Sequence, residues 1–375
     1  MTRWAIGLMS GTSLDGADAA LLNGDGSRVH AFGACAYREY SDGERKVFRA
    51  AMRRAAETPT SELRRQPEMF ASEATLSADI HADLIERLLA QDAAETPELI
   101  GFHGQTLIHR PEEGFTLQIG DAARLAKRVN VPVVYDLRLN DMAQGGQGAP
   151  LAPFYHFALA RMMEADAPVA FLNIGGVANV TWVDPRATAP EAPGALLAFD
   201  TGPGNALLND LIGARTGAAW DTDGAAAAAG RVDDGALKQL LDNAYFEATP
   251  PKSLDRGDFP KAPELMRSLG LQDAAATLTA FTAASIERAQ DHFKIPVSRW
   301  LVCGGGRHNP QMMRMLSERL SAPVEPVEAV GFNGDMIEAQ AFAHLALRSN
   351  ARLPLSAPAT TGVQAPATGG RLSTP

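Results

Sequence analysis

Three apolar stretches separated by polar turns open the chain. Residues 4–9 read as a buried strand, Ser10-Gly-Thr-Ser-Leu-Asp-Gly16 as a tight polar loop and residues 17–22 as a returning strand, with a third apolar run from Val29 to Tyr37 extending the sheet. Two amphipathic helices follow, the second carrying Phe70, Leu76, Ile80, Leu84 and Leu88 along one face. Short strands are predicted at 99–103, 115–119 and 131–135, with a helix at 121–129, and polar residues gather where the strands stop. After a helix at 153–162 the opening pattern returns. A second hairpin spans 169–182 around Gly175-Gly176, and a third strand covers 196–199. Hairpin, third strand and helices therefore occur twice, which predicts a duplicated fold despite weak residue identity between the copies. Downstream the pattern predicts a helix at 273–292, a buried strand at 300–303, a helix carrying Met312, Met313, Leu316 and Leu320 as core fillers, and a last helix at 339–347 opened by Glu338. From Pro354 onward Pro, Ala, Thr, Ser and Gly dominate, which predicts a flexible tail.

Candidate chemistry concentrates in Leu196-Leu-Ala-Phe-Asp-Thr-Gly-Pro-Gly-Asn205. Asp200 is expected where a buried strand ends, and Gly202 and Gly204 let the backbone approach a ligand. Asn205 is expected to start a helix whose exposed amides suit a phosphate or sugar oxygen. The bland alternative is a surface turn whose aspartate caps a helix. In the first hairpin, Gly11, Thr12 and Ser13 offer N–H groups and hydroxyls to an anion, and Asp15 suits Mg²⁺ through oxygen or water contacts; an ordinary hairpin turn would read the same way. Gln105 and Gln118 are candidate sugar-hydroxyl contacts. His103 ranks below the carboxylates, because a histidine at a strand end is commonly a hydrogen-bonded structural residue. Asp136, Arg138 and Asp141 precede Gln144-Gly-Gly-Gln-Gly-Ala-Pro150, the candidate interdomain hinge, and Arg138 suits a carboxylate or phosphate clamp. Lys252, Ser253 and Arg256 face either a ligand or solvent. Gly304, Gly305 and Gly306 allow a flat base or ribose to lie on the backbone.

Composition narrows the class. With 375 residues, 46% of them hydrophobic, the chain can bury two cores. A formal net charge of -10 argues against nucleic-acid and anionic-membrane surfaces, both of which need basic patches, and points to a small-molecule ligand. Cys35 and Cys303 have no metal-ligand spacing and fit a reducing compartment. The first residues leave no room for a signal peptide, and no apolar run is long enough to span a bilayer, so a cytoplasmic protein is expected.

Six motifs taken in order resemble a known family. Gly7-Leu-Met-Ser-Gly-Thr-Ser-Leu-Asp-Gly16, His103-Gly-Gln-Thr106, Gly145-Gly-Gln-Gly-Ala-Pro150, Asn173-Ile-Gly-Gly176, Phe199-Asp-Thr-Gly-Pro-Gly-Asn205 and Cys303-Gly-Gly-Gly306 resemble the anhydro-N-acetylmuramic acid kinases, of the acetate and sugar kinase, Hsp70 and actin superfamily. The resemblance runs from about Ile6 to Leu347. It implies an α/β fold of two actin-like (ribonuclease H-like) lobes, with a duplicated mixed sheet, flanking helices and ATP in the interlobe cleft. The first lobe would take 1–135 plus a C-terminal helix at about 338–352, the second 136–337, and the tail 354–375. ATP and Mg²⁺ are the implied cofactors. Gly11, Thr12, Ser13, Leu14, Asp15, Gly16, Ala17, Asp18, Gly175, Gly176, Thr201 and Gly202 would serve the phosphates, Asp15 the metal, and Gly304, Gly305 and Gly306 the adenosine. Asp200 would be the general base, with Gln105, Arg138, Asp141 and Glu338 at the sugar. A homodimer and a place in peptidoglycan recycling are further implications.

The sequence departs from the family pattern at Leu137, where an aromatic is expected, at Arg307, where a small residue is common, and at Phe332-Asn-Gly334, which replaces a more proline-rich loop. Two alternatives stand beside this reading: another sugar or carboxylate kinase of the same fold, and an Hsp70-like nucleotide-gated binding protein. A dinucleotide-binding dehydrogenase is disfavoured because the first glycine motif lies in a hairpin and does not open a helix.

Overall fold

The computed structural model describes residues 1–91, 95–254 and 257–375, so Arg256 lies outside the described residues. Two compact units are present. The first comprises Met1–Glu164, Ala189–Glu191 and Met336–Pro375; the second comprises Ala165–Thr188 and Ala192–Asp335. Both are α/β, each built on one mixed sheet.

The first six strands of the first unit are β1 (Arg3–Ser10), β2 (Gly16–Gly24), β3 (Val29–Glu39), β4 (Leu99–Arg110), β5 (Phe115–Ile119) and β6 (Val133–Tyr135). β1, β2 and β3 run antiparallel in succession, whereas β4 joins β1 in parallel and β6 joins β4 in parallel. The predicted helices form as Asp42–Glu57, started by a capping box between Ser41 and Glu44, and as Ala71–Gln91. Their apolar residues, Phe48, Ile80, Leu84 and Leu88 among them, join Ile6, Leu8 and Phe102 in one core. The helix Ile337–Asn350 packs on β1, β2 and β4. Its approach requires glycine: a Cβ on Gly7 would lie 1.8 Å from the Ala339 carbonyl oxygen, and one on Gly101 2.0 Å from that of Phe342.

The second unit repeats the plan. Strands β7 (Val169–Ile174), β8 (Val177–Val183) and β9 (Leu196–Pro203) are antiparallel neighbours, and β10 (Trp300–Cys303) joins β7 in parallel as β4 joins β1. A further strand, β11 (Val324–Pro326), pairs with β10 in parallel. The helix Leu271–Arg288 is buried from Ala274 to Ile286, and its Ile286 meets Trp182, Phe199 and Trp300 in the core.

Two sequence expectations need correction here. The change of unit falls at Glu164, not at residue 135, and the glycine-rich stretch 144–150 is internal to the first unit. The helix Pro153–Met162 stays with that unit because its inner face is buried and the Tyr155 hydroxyl donates to Gln340 Oε1 at 2.8 Å. The predicted flexible tail is packed: β12 (Arg371–Ser373) pairs antiparallel with β6, and Leu355, Ala357, Val363 and Ala367 are buried. Small side chains and prolines give this segment the composition of a linker, yet they let it lie flat on the sheet edge.

Candidate active site

At the tip of the β1–β2 hairpin, Thr12, Ser13 and Asp15 are exposed and a Cβ on Gly11 would touch only Ser13. The tip is held from below. Leu14 takes the left-handed conformation (φ 61°) and sinks its side chain into the core, and the Asp15 carbonyl accepts from the Tyr40 N–H at 2.9 Å and the Tyr37 hydroxyl at 3.1 Å. Ser13 Oγ donates to Asp15 Oδ2 at 2.9 Å. Of the predicted phosphate residues, Leu14, Gly16 and Ala17 are therefore buried supports, and Asp18 is half-buried within β2. Gln105 is fully buried; its Nε2 donates to the Gly11 carbonyl at 3.0 Å and its Oε1 accepts from the Tyr40 hydroxyl at 3.4 Å. Through these bonds it braces the loop. Gln118 likewise spends its amide on the Thr116 and Thr106 hydroxyls.

Strand β4 does not stop at His103, as its sequence suggests, but continues through Gly104 (φ 73°) to Arg110. His103 therefore sits inside the strand and is buried. Its Nδ1 lies 2.7 Å from the Gly104 carbonyl oxygen and its Nε2 2.9 Å from Arg138 Nη2. A carbonyl only accepts and a guanidinium only donates, so the ring is neutral with its proton on Nδ1. Burial, reinforced by the Arg138 charge, holds His103 well below the usual histidine range. Arg138 also donates to the Gly148 carbonyl at 2.9 Å, and burial lowers it to about 10 against the opposing pull of Glu338 and Asp141. Glu338 keeps an exposed side chain, while the protein mass around it raises its carboxyl and Arg138 opposes the rise. Arg138 and Glu338 carry opposite charge and each influences the other's ionisation within the first unit. Asp141 is engaged by the glycine-rich loop and the C-terminal segment. It accepts from the Gly148 N–H at 2.6 Å, from the Thr361 hydroxyl at 2.6 Å and from the Ser356 hydroxyl, and is buried. The predicted sugar contact is a structural clasp between the glycine-rich loop and the C-terminal segment.

In the second unit, β9 runs past Asp200 to Pro203 because a bulge absorbs the glycine turn: Asn179 pairs with Asp200, and Ala178 with Gly202. Thr201 is the extra residue, buried with its hydroxyl on the Ala178 carbonyl at 3.2 Å. Gly202 is buried as well, since a Cβ there would lie 2.3 Å from Ser285 Oγ. Thr201 and Gly202 are thus packed inward at the bulge that follows Asp200. The Asp200 N–H donates to the Lys252 carbonyl at 3.0 Å, the Tyr245 hydroxyl donates to the Asp200 carbonyl at 2.5 Å, and the Leu254 N–H donates to Asp200 Oδ2 at 2.8 Å. Burial, with Asp200 second, drives the Tyr245 phenol strongly upward, so it remains a donor. Lys252 Nζ turns to the Tyr245 carbonyl at 3.1 Å, and Ser253 is exposed.

Asn205 links the two glycine clusters of this unit. Its side chain does not cap the helix Ala206–Thr216 as expected; it donates to the Ile174 carbonyl at 3.1 Å, while its own N–H reaches the Gly175 carbonyl at 2.7 Å. The same Asn205 Nδ2 lies 4.0 Å from where a Gly305 Cβ would be. Gly304 (φ 72°) and Gly306 are pressed on the end of β7, where added Cβ atoms would fall 2.2 Å from Asn173 Oδ1 and 2.4 Å from Ile174 Cγ2 respectively, whereas Gly305 is exposed. Gly175, Gly176, Asn205 and Gly305 therefore make one open, backbone-lined patch.

A family model for anhydro-N-acetylmuramic acid kinase matches residues 3–374. The chain belongs to the anhydro-N-acetylmuramic acid kinase family. Relatives bearing that name are 53% identical over 373 residues in Cereibacter sphaeroides (99% of this chain, 96% of the relative), 50% identical over 371 residues in Ruegeria sp. (99% and 95%) and 50% identical over 374 residues in Paramagnetospirillum magneticum (99% and 99%). Among solved structures, a ROK family glucokinase from Streptomyces griseus in complex with glucose and AMPPNP aligns with a TM-score of 0.42 at 13% identity, covering 92% of this chain and 99% of that one.

The residues present fit the family's nucleotide. Within the second unit the open Gly305 backbone offers a surface on which a base can lie, and within the first the exposed Thr12 and Ser13 beside half-buried Gly11 offer N–H and hydroxyl groups that suit phosphate. Among the described residues no group of three or more His, Cys, Asp or Glu side chains is placed to hold a metal, and Asp15 is an exposed single carboxylate. Among the described residues no helix is long and apolar enough to cross a membrane.

Proposed function

We propose that this protein uses ATP to open the 1,6-anhydro ring of 1,6-anhydro-N-acetylmuramic acid with water and to phosphorylate O6, giving N-acetylmuramic acid 6-phosphate and ADP. The observation that carries the reading is the family match across residues 3–374, together with an aspartate aimed by a strand bulge beside a glycine-lined patch. An anhydro sugar has no free 6-hydroxyl, so O6 must first leave C1. In this mechanism the Asp200 carboxylate takes a proton from water as the water oxygen bonds to C1. The C1–O6 bond breaks with its electron pair on O6, O6 bonds to the γ-phosphorus, and the bond from that phosphorus to the bridging oxygen breaks to release ADP. Attack opposite the leaving oxygen inverts C1. A positioned base of this kind contributes roughly 10² to 10⁴-fold. The Leu254 N–H fixes the orientation of the Asp200 carboxylate and the Tyr245 hydroxyl that of its backbone.

The Gly11, Thr12 and Ser13 tip would hold phosphates, with Gly175 and Gly176 doing so on the second unit and Gly304–306 seating the adenosine. Asp15 would hold Mg²⁺ directly or through water, and the ion neutralises phosphate charge when bound. Arg138, oriented by His103, and Glu338 are the sugar contacts in this reading, the cation suiting the lactyl carboxylate. The same reading includes a cytoplasmic homodimer acting in peptidoglycan recycling.

The test is a mass spectrum of the sugar product formed from MgATP and 1,6-anhydro-N-acetylmuramic acid in ¹⁸O-labelled water, quenched before anomeric exchange. One heavy oxygen at C1 of a phosphorylated sugar is expected. ATP consumption with unchanged sugar would overturn the reading. Asp200→Asn should abolish turnover while ATP still binds, measured by calorimetry; an active variant removes Asp200 from the mechanism.

A further inference from the structure

Arg307 follows the glycine turn Gly304–Gly306 directly. Its side chain is only 3% exposed and reaches three separate acceptors. Nη1 donates to the Gly304 carbonyl at 3.1 Å, Nε to Glu328 Oε1 at 3.0 Å, and Nη2 lies 2.8 Å from Asp335 Oδ1. Glu328 Oε1 also accepts the Gly334 N–H at 3.0 Å, which closes the segment 328–335 around the guanidinium. Gly334 is part of the same fit, because a Cβ there would lie 2.5 Å from Arg307 Nε and 2.8 Å from its Cζ. Arg307 and Gly334, remote in sequence, are therefore one packing unit. A buried cation needs partners, and here each guanidinium nitrogen has one, from two carboxylates and a carbonyl.

The carbonyl is the informative partner. Gly304 also accepts the Arg307 backbone N–H at 3.3 Å, so backbone and side chain of one residue hold the same oxygen. Below, the turn is pressed on Asn173 and Ile174, and above, Gly305 is left open. The Asn309 N–H holds the Gly306 carbonyl at 3.1 Å, and Arg307 is the residue that reaches the Gly304 carbonyl with both its backbone and its side chain.

We propose that Arg307 is a positioning residue for nucleotide recognition, setting the backbone of Gly304–Gly306 through the Gly304 carbonyl, with Glu328, Asp335 and a side-chain-free residue 334 holding the guanidinium in place. The inference rests on the reading of Gly304–306 as the adenosine seat. It makes the 328–335 segment part of the nucleotide site although that segment need not touch the ligand.

The experiment compares the full-length wild type with Arg307→Ala, Arg307→Lys and Gly334→Ala. ADP affinity is measured by calorimetry, and KM for ATP, KM for the anhydro sugar and kcat are measured by coupled assay. Arg307→Ala and Gly334→Ala are expected to weaken ADP binding and raise KM for ATP about tenfold. KM for the sugar should stay within about twofold and kcat within about threefold. Arg307→Lys keeps the charge but cannot reach three acceptors at once, and should fall between wild type and alanine. Unchanged ADP affinity in folded Arg307→Ala overturns the proposal, and so does an equal loss in every parameter, which would indicate general destabilisation. Should Arg307→Ala not fold, Gly334→Ala and Glu328→Gln carry the same comparison, with unchanged ADP affinity in both overturning it. Because ADP binding is read directly, a wild type that binds ADP but ignores the anhydro sugar would defeat the proposed substrate and leave this inference to be decided by the variants. A wild type that binds no ADP overturns both.

Discussion

At the scale of single residues, glycine matters here mainly through what its missing Cβ lets approach. Gly7 illustrates the point, since the Ala339 carbonyl occupies the space a side chain would need and the obstructing atom is backbone that cannot swing aside. Gly7→Ala should cost about 1–3 kcal/mol, the usual range for overpacking a filled interior. Gly43, in the first turn of Asp42–Glu57, meets only Ser41 Oγ at 3.9 Å, and Gly43→Ala should stay within about 0.5 kcal/mol. Urea midpoints of the two variants check the contrast, and equal midpoints would contradict it. The polar residues follow a similar logic. Gln105 reads as a ligand contact in the sequence because amides suit sugar hydroxyls, yet its donors and acceptor are consumed by Gly11, Thr106 and Tyr40. His103 reads as a structural residue and is one, but its neutral ring gives Arg138 an acceptor and so orients a cation.

The C-terminal segment is the element that changes the picture most. It reaches back through Thr361 and Ser356 to Asp141, through Thr368 to Asn140, and through Arg371 to Asp136. Gln147 of the glycine-rich loop also donates its N–H to the Thr361 carbonyl at 2.8 Å. The loop that carries Arg138 is therefore held by residues a linear reading would discard. Asp141→Ala leaves the Gly148 N–H and two hydroxyls buried without their acceptor, which should cost about 3 kcal/mol. Hydrogen exchange should then show lost protection at 144–148 and at 360–363 while β1 and β2 stay protected. Unchanged exchange at 144–148 would mean the clasp is redundant.

On the scale of the whole molecule, the histidines are unevenly distributed. His81, His103, His156 and His344 are buried in the first unit, and burial lowers them, to about 4 for His81 and about 3 for His156 and His344. The unfolded chain takes up these protons near pH 6.5 and the folded chain does not. Stability is therefore complete above that pH and falls as pH drops below it, by about 2 kcal/mol for each of His81, His156 and His344 at pH 5. Hydrogen exchange at pH 7.5, 6 and 5 should show the first unit opening before the second, in which His292 is only half-buried and His308 is exposed. A first unit as stable at pH 5 as at pH 7.5 would contradict the assignment of these rings as neutral.

The sequence by itself determined the features whose causes are local. Both hairpins, their glycine tips, the repeated order of strands and helices and the exposed Thr12, Ser13 and Asp15 follow from alternation and turn chemistry within a few residues. The family motifs were legible for the same reason, because each is a short stretch with a fixed backbone demand. Tertiary structure decided where strands stop and which polar groups are spoken for. Sheet pairing carried β4 past Gly104 and β9 past Thr201 and Gly202, turning apparent strand ends into irregularities that aim His103 and Asp200. The most distant partner of Gln105 stands 94 residues away and those of Asp141 stand 215 and 220 away, and Arg307 is completed by Glu328 at a separation of 21. A turn is encoded in its own residues, whereas a side chain's freedom to meet a ligand depends on what the folded chain brings beside it.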